Sequence, residues 1–148
     1  MNLQMSAGLG EAYLSPSQRA RVITESWMSE QGYCPSCLAS LTSAANNSKA
    51  VDFYCSKCAV PYQLKSMKTK IGTRVPDGAY QTMLSAVRSD TCPALVIMYY
   101  RKVSWTVHDL IIIPSFAITE QAIIPRKPLS PTAKRAGWIG CNIDLSKI

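Results

Sequence analysis

The 148-residue chain has an apolar content of 47%, and 17% of its residues are charged. This composition excludes an intrinsically disordered protein, and the length is enough to bury one core, so we expect a single domain over residues 1–148. Sixteen basic residues against nine acidic ones give a net charge of +7. A surplus of this size favours a polyanionic partner without identifying it.

The first ten residues lack the basic and apolar segments of a secretory signal. The longest apolar run, around Leu110–Ile113, is too short to cross a bilayer. We therefore expect a protein that works in the cytoplasm without a membrane partner. Its six cysteines are then expected to be reduced.

Residue periodicity predicts helices and strands that alternate along the chain. In chain order, the predicted elements are a helix from near Ser15 to near Gly32, strands over Ala50–Tyr54 and Val60–Ser66, a basic loop over Lys68–Arg74, a turn over Pro76–Gly78, a helix from Tyr80 to near Asp90, and buried strands over Leu95–Tyr100 and Val107–Pro114. From Ile123 onward the chain is too rich in proline and basic residues for one regular element. This order indicates an α/β fold, with a mixed α+β sheet flanked by helices.

Four cysteines form two C-x-x-C pairs, C-P-S-C at Cys34 and Cys37 and C-S-K-C at Cys55 and Cys58. Seventeen residues separate the pairs, a spacing at which two such turns converge on one tetrahedral zinc ion. We therefore predict a zinc ribbon at about residues 33–59. Its four thiolates would leave no open position on the metal for catalysis. Disulfide bonds are the alternative for these four residues.

The chain around the second cysteine pair carries a D-x10-Q-x-K pattern at Asp52, Gln63 and Lys65. The predicted strand V-P-Y-Q-L-K-S places Gln63 and Lys65 on one face, because strand side chains alternate. In a metal-dependent nuclease such residues bind Mg²⁺, for which Mn²⁺ can substitute, and the backbone carbonyl of Leu64 completes the ligand set. The lysine then positions the attacking water. The pattern is short, so the alternative is a set of solvated residues without a catalytic role.

Basic and aromatic residues near the C-terminus form a candidate DNA-binding surface. The candidates are Arg126, Lys127, Lys134, Arg135 and Trp138, with Lys68 and Lys70 of the predicted basic loop as further phosphate contacts. Cations of this kind add affinity by neutralising phosphates, whereas the ring of Trp138 can approach the base edges in a groove. The alternatives are a solvated surface for the basic residues and a core position for Trp138.

Five other residues with chemically active side chains are interpreted as structural. Trp27 and Trp105 fit the packing patterns of a helix and a strand. Cys92 and Cys141 are isolated and are interpreted as small core residues. The single histidine, His108, precedes an apolar strand and is interpreted as a structural residue with satisfied hydrogen bonds.

Several blocks of the sequence resemble the DpnI family of methyl-directed restriction endonucleases. The blocks are C-P-S-C, V-D-F-Y-C-S-K-C, Y-Q-L-K-S, D-G-A-Y-Q-T-M and the long segment R-K-P-L-S-P-T-A-K-R-A-G-W-I-G-C-N-I-D-L-S. The resemblance spans essentially the whole chain and implies a PD-(D/E)xK nuclease core with an inserted four-cysteine zinc ribbon. It also implies a type II, methylation-dependent enzyme of the prokaryotic cytoplasm. Its substrate would be double-stranded DNA with N6-methyladenine in G-A-T-C.

Carried over by position, the resemblance makes Asp52 the first metal ligand, Lys65 the catalytic lysine and the paired cysteines the zinc ligands. Gln63 departs from the family, which has glutamate there; an amide keeps one ligand oxygen but loses the charge that attracts a cation. The family also has a C-terminal winged-helix domain, which is absent from these 148 residues. Either the chain is a fragment, or the protein recognises DNA with the catalytic domain alone.

Two other functions stay open at this stage, each tied to a sequence feature. Gln63 allows a catalytically weakened or inactive reader of methylated DNA. The cysteine pairs alone would also suit a zinc-ribbon interaction module with no role on DNA. We expect a monomer.

Overall fold

The computed structural model describes residues 1–46, 48 and 50–148 as two compact units. The first contains Met1–Lys70 and Pro93–Ile112, and the second contains Ile71–Cys92 and Ile113–Ile148. The strands are β1 Leu41–Ser43, β2 Phe53–Cys55, β3 Pro61–Met67, β4 Arg74–Ala79, β5 Ala94–Arg101, β6 Thr106–Ile113, β7 Ile123–Pro125 and β8 Gly140–Asp144. The helices are α1 Pro16–Gln31 and α2 Tyr80–Val87, with short 3₁₀ helices at Ala7–Gly10, Ser115–Ala117, Glu120–Ala122 and Leu145–Lys147. Within these described ranges, no helix is both long and apolar enough to span a membrane.

Helix α1 begins and ends where its sequence predicts. Ser15 is the N-cap residue, and Pro16 follows in the first turn. Proline is tolerated there because backbone N–H groups of the first turn have no acceptor within the helix. Gly32 caps the other end, and a Cβ atom there would clash with the backbone carbonyl of Met28. The buried stripe of the helix consists of Ile23, Thr24, Trp27 and Met28. The predicted first helix is thus confirmed.

The first unit contains a five-stranded sheet in the order β1-β2-β3-β5-β6. Strands β1, β2 and β3 pair antiparallel, whereas β3 and β5 pair parallel over Tyr62–Met67 and Ala94–Tyr99. A parallel pair is normally covered on both faces, and β5 is buried from Ala94 through Met98. Helix α1 packs on one face of this sheet and shares its core. The predicted mixed sheet is therefore confirmed.

The second unit contains a three-stranded antiparallel sheet in the order β4-β8-β7, against which α2 packs. Helix α2 begins at Tyr80, as predicted, but ends at Val87 rather than near Asp90. The predicted turn at Pro76–Gly78 is wrong, because these residues lie within β4. Proline is tolerated there because β4 is an edge strand, and the pairing register shifts around Gly78, as at a β-bulge.

Two further predictions need correction. The strand predicted over Ala50–Tyr54 is β2, which covers only Phe53–Cys55. Ala50 has a left-handed φ of 57°, which does not belong in an extended strand. The segment from Ile123 onward is not one element, as predicted, but it contains two strands that the sequence analysis missed, β7 and β8.

The residues interpreted as structural mostly occupy packing positions. Trp27 is buried, and its indole Nε1–H donates to a backbone carbonyl at 2.7 Å. Trp105 lies in the turn before β6 rather than in a strand, but it is half-buried and stacks on a core tyrosine with 5.4 Å between ring centroids. Cys141 is fully buried and Cys92 half-buried. His108 is exposed, and its Nδ1 lies 3.1 Å from the carboxylate of the next residue.

Candidate functional site

The four paired cysteines converge on one point in the first unit. Their Sγ atoms all lie within 4.8 Å of one another, with Cys34 and Cys58 at 3.6 Å and Cys37 and Cys55 at 3.3 Å. A tetrahedral zinc ion with Zn–S bonds of about 2.3 Å separates its sulfurs by about 3.8 Å, close to these values. A disulfide needs about 2.05 Å, and all four thiols are free. The cluster can therefore hold a metal such as zinc, and the disulfide alternative is not what the structure contains.

The two C-x-x-C pairs form equivalent turns. In the first, the amide of Leu38 donates to the carbonyl of Cys34 at 2.8 Å. In the second, the amide of Ala59 donates to the carbonyl of Cys55 at 3.0 Å. Leu38 and Ala59 both have left-handed backbones, with φ of 60° and 59°. The same local fold in both turns directs each pair of thiols toward the shared centre.

Hydrogen bonds lower the pKa of two of the four thiols, those of Cys34 and Cys55. In Cys37 and Cys58 a backbone amide favours the thiolate, but hydrogen bonds from the neighbouring cysteines and burial outweigh it and raise the pKa. The hydroxyl of Tyr62 donates to Cys34 Sγ at 3.2 Å. Burial raises the pKa of Cys34, but the bond from Tyr62 and two backbone amides of the same turn outweigh it and lower the pKa to about 6. In the second turn, two backbone amides donate to Cys55 Sγ at 3.4 Å each and lower its pKa. A lowered thiol pKa favours metal binding near neutral pH.

Asp52 lies immediately before β2 and is fixed by three hydrogen bonds. Its amide donates to the carbonyl of Tyr62 at 2.8 Å, and its carbonyl accepts from the amide of Ala44 at 2.8 Å. Its carboxylate Oδ2 accepts from the amide of Leu64 at 2.7 Å. The carboxylate is thereby held against the edge of β3.

The other two residues of the D-x10-Q-x-K pattern lie in β3, as predicted. Gln63 and Lys65 occupy alternate positions and so share a strand face, where Gln63 is 8% exposed and Lys65 half-buried. They pair in register with Leu95 and Ile97 of the buried strand β5. Leu64 lies between them, and its carbonyl points to the same strand edge as its amide, toward Asp52. The structure therefore places the Asp52 carboxylate beside the backbone of Leu64, between the two strand positions that carry Gln63 and Lys65.

Two charged residues beside Asp52 were missed by the sequence analysis. Asp52 lines a cavity of about 350 Å³ together with Arg21 and Glu25 of α1. The Arg21 Nε atom lies 2.6 Å from Glu25 Oε1. Glu25 raises the pKa of Arg21, and Asp52 adds a smaller effect in the same direction. The only sequence signal was their i, i+4 spacing, which is common on any exposed helix face.

The candidate DNA-binding residues occur in both units. In the first unit, Lys68 and Lys70 are exposed and follow β3 directly. The loop between β7 and β8 of the second unit carries the exposed Arg126, Lys127, Lys134 and Arg135 and the half-buried Trp138. We call residues 126–139 the Trp138 loop.

Backbone hydrogen bonds fold the Trp138 loop back on itself. The amide of Arg126 donates to the carbonyl of Gly140 at 2.9 Å, and the amide of Leu129 donates to the carbonyl of Trp138 at 3.0 Å. Gly137 has a φ of 79°, a conformation that favours glycine. Hydrogen bonds at both ends of the Trp138 loop therefore close it, and the Gly137 backbone conformation contributes to its turn.

The Trp138 side chain is held between its neighbours in this loop. The guanidinium of Arg135 lies 4.6 Å from the centroid of the Trp138 ring, a cation–π contact. A Cβ atom added to Gly140 would come within 2.8 Å of the same ring. Trp138 is not among the buried core residues of the described chain, so the core alternative for it is wrong.

Over residues 1–148, the chain matches the protein family described as DpnI: Dam-replacing family. It belongs to this family. The match covers both cysteine pairs, the D-x10-Q-x-K residues and the Trp138 loop, so the resemblance seen in the sequence blocks is confirmed. Membership of the DpnI family indicates a restriction function and, with it, binding to DNA.

The donor sets of this DpnI-family chain differ in the metals that they suit. Four closely spaced thiols suit zinc and close its coordination shell. The second set, proposed from the sequence, consists of the Asp52 carboxylate, the Gln63 side-chain amide and the Leu64 carbonyl. These are oxygen donors of the kind that Mg²⁺ takes. Only the carboxylate is charged, so the second set is weaker than one with two acidic residues.

Proposed function

We propose that this protein is a metal-dependent endonuclease that hydrolyses double-stranded DNA at G-A-T-C sites carrying N6-methyladenine. The proposal rests above all on the hydrogen bond from the Leu64 amide to Asp52 Oδ2 at 2.7 Å. This bond joins the acidic residue of the pattern to the strand that carries Gln63 and Lys65. Membership of the DpnI family supports assigning these residues to a type II, methylation-dependent enzyme.

In this proposal Asp52, Gln63 and the Leu64 carbonyl bind Mg²⁺, for which Mn²⁺ substitutes. When bound, the cation stabilises the negative charge that develops on the scissile phosphate. Lys65, on the same strand face as Gln63, orients the attacking water and places a positive charge beside the phosphate. The three hydrogen bonds to Asp52 order its carboxylate before substrate arrives, so little reorganisation is needed.

The finer fold assigned by the proposal is a PD-(D/E)xK core over residues 1–148, with a zinc ribbon at about residues 33–59. The mixed sheet supports it, because Asp52 precedes one strand and Gln63 and Lys65 lie on the neighbouring strand. The four-cysteine cluster would hold zinc only as part of the scaffold. The proposal assigns this activity to a monomer.

DNA recognition is assigned to two sets of residues. The exposed cations Lys68, Lys70, Arg126, Lys127, Lys134 and Arg135 contact phosphates and supply affinity. Trp138 packs on the N6-methyl group of adenine, which adds an apolar spot to the major-groove edge of the base. Its half-exposed ring and the closed Trp138 loop support this role, because a rigid aromatic side chain loses little entropy on contact.

The proposal is tested with two plasmids that differ only in adenine methylation of G-A-T-C, each incubated with the chain and Mg²⁺ or Mn²⁺. We expect cleavage of the methylated plasmid alone. Cleavage of both plasmids would support nuclease activity but would show that this chain does not recognise the methyl group. Binding without cleavage would contradict the nuclease proposal.

A second candidate function follows from the amide at Gln63. With one charge fewer than a two-acid site, the chain would be a reader that binds methylated DNA without cutting it. The two functions predict the same binding but differ in cleavage. The two functions can be distinguished by restoring a negative charge at residue 63.

Replacing Gln63 by glutamate is expected to lower the Mg²⁺ concentration for half-maximal cleavage by about tenfold, because a second carboxylate strengthens cation binding. The measurement is cleavage of the methylated plasmid over a Mg²⁺ titration. Gln81→Glu is the matched control, because Gln81 is exposed on α2 and far in sequence from the pattern. An unchanged Mg²⁺ requirement in Gln63→Glu would argue against a ligand role for residue 63.

Replacing Trp138 by alanine is expected to reduce the preference for methylated over unmethylated DNA by about tenfold, the usual worth of one apolar contact. Lys134→Ala is the matched control from the same loop, because Lys134 is exposed and is not the cation that contacts the Trp138 ring. It should weaken binding to both duplexes equally and make binding less salt-dependent. Fluorescence anisotropy with the two duplexes, without divalent ions, measures both effects. If Trp138→Ala loses affinity for both duplexes equally, Trp138 does not recognise the methyl group.

A further inference from the structure

A cavity of about 660 Å³ lies in the first unit, where the parallel strands β3 and β5 end and α1 begins. Ser66 and Lys68 come from the end of β3, Tyr100 from the end of β5, and Arg19 from the first turns of α1. Its size is that of a small-ligand site, and the carboxyl ends of parallel strands are where open α/β sheets bind ligands. Of the residues that line the cavity, the proposed function uses only Lys68, as a phosphate contact.

The polar lining of the cavity is positively charged. Arg19, Lys68 and Lys102 line it, and none of the described residues that line it is acidic. The Arg19 side chain donates to the backbone carbonyl of Tyr13, which holds it in place. The first turn of the 16-residue helix α1 adds amides without helical partners and the positive end of the helix dipole. This lining suits a phosphate group.

The lining also contains two aromatic residues, Tyr100 and Trp105. Trp105 is half-buried and lies parallel to the Tyr100 ring, with an interplanar angle of 8° and 5.4 Å between centroids. Trp105 has a left-handed φ of 49°, which large side chains rarely adopt. The carbonyl of Trp105 accepts from the amide of Met5 at 2.8 Å, which helps to hold this backbone. Strain of this kind gathers at functional positions, and a flat indole is the surface on which bases stack.

We propose that this cavity binds a nucleotide, with its base against Trp105 and its phosphate between Lys68 and Lys102. The site is separate from the proposed catalytic residues, because Ser66 and Lys65 point to opposite faces of β3. Lys68 follows Lys65 by only three residues, about 10 Å along an extended strand. The ligand is therefore either a free nucleotide or a nucleotide of a DNA strand that leaves the duplex near the active site.

The test uses the full chain with Asp52→Asn, without divalent ions, so that cleavage plays no part. Tryptophan fluorescence is titrated with dAMP and, separately, with a short single-stranded oligothymidylate. We expect quenching by at least one ligand and an affinity about tenfold lower in Lys102→Ala, which loses a charged phosphate contact. Arg101→Ala is the matched control, because the neighbouring cation is exposed but does not line the cavity.

The two ligands distinguish a free nucleotide from a nucleotide of a DNA strand. Quenching by dAMP that competes with the oligonucleotide indicates a free-nucleotide site, and binding of the oligonucleotide alone indicates a strand site. Trp105→Phe should abolish the quenching signal, with circular dichroism checking that this variant folds. Absence of binding by both ligands would overturn the inference, as would equal effects of Lys102→Ala and Arg101→Ala. The inference is independent of cleavage, so failure of the plasmid test would leave it standing.

Discussion

Replacing Asp52 by asparagine is expected to slow DNA cleavage by about 10³-fold, because it removes the one charged ligand of the proposed Mg²⁺ site, worth several kcal/mol in the transition state. Asparagine has the same shape, and its side-chain oxygen can still accept from the Leu64 amide. The backbone bonds of residue 52 to Ala44 and Tyr62 do not depend on the side chain. The fold should therefore be retained, and single-turnover cleavage of a methylated duplex at saturating Mg²⁺ measures the chemical loss.

Asp90→Asn is the matched control, because Asp90 is exposed and lies outside the pattern. It should cleave at the wild-type rate. DNA binding by Asp52→Asn without divalent ions should equal that of the wild type, since no phosphate contact is removed. If Asp52→Asn cleaves DNA at the wild-type rate, Asp52 is not a ligand of the catalytic metal. Weak binding together with weak cleavage would instead point to a folding defect, which thermal melting would reveal.

The four-cysteine cluster could be predicted because it depends on short segments of the sequence. Each C-x-x-C pair forms one short turn, and its geometry depends on a few neighbours such as Leu38 and Ala59. The face shared by Gln63 and Lys65 was predictable for the same reason, because strand alternation is a property of the chain itself. The hydrogen bond that brings Asp52 to this strand is less local, since it depends on the pairing of β2 with β3.

The missed features depend on pairing between distant segments. Strand β8 has the sequence G-C-N-I-D, in which apolar and polar residues alternate over only four positions, and it is extended because β4 and β7 pair on its two sides. The P-D-G sequence at Pro76–Gly78 is typical of a turn, but the edge of a sheet accepts it as part of β4. Arg21 and Glu25 have ordinary helix spacing, and only the three-dimensional structure brings them beside Asp52.

Removing zinc is expected to unfold the first unit and abolish cleavage, because a structural zinc site contributes about 10 kcal/mol or more, comparable to the whole stability of a domain. Cys58→Ser tests this without disturbing the core, since Cys58 is exposed. We expect a zinc content well below one ion per chain and a melting temperature lower by about 10 °C or more. Circular dichroism and elemental analysis measure the two changes, and Cys92→Ser, outside the cluster, is the matched control.

The four-cysteine cluster and the proposed active site are connected through Tyr62. Its hydroxyl donates to Cys34, its carbonyl accepts from the amide of Asp52, and it directly precedes Gln63. Loss of the cluster should therefore release Asp52 from β3, so that activity and the folded signal fall together. After chelation, excess Mg²⁺ alone should restore neither, whereas zinc and Mg²⁺ together should restore both. Recovery of cleavage with Mg²⁺ alone in a zinc-free protein would show that the cluster does not hold the site in place.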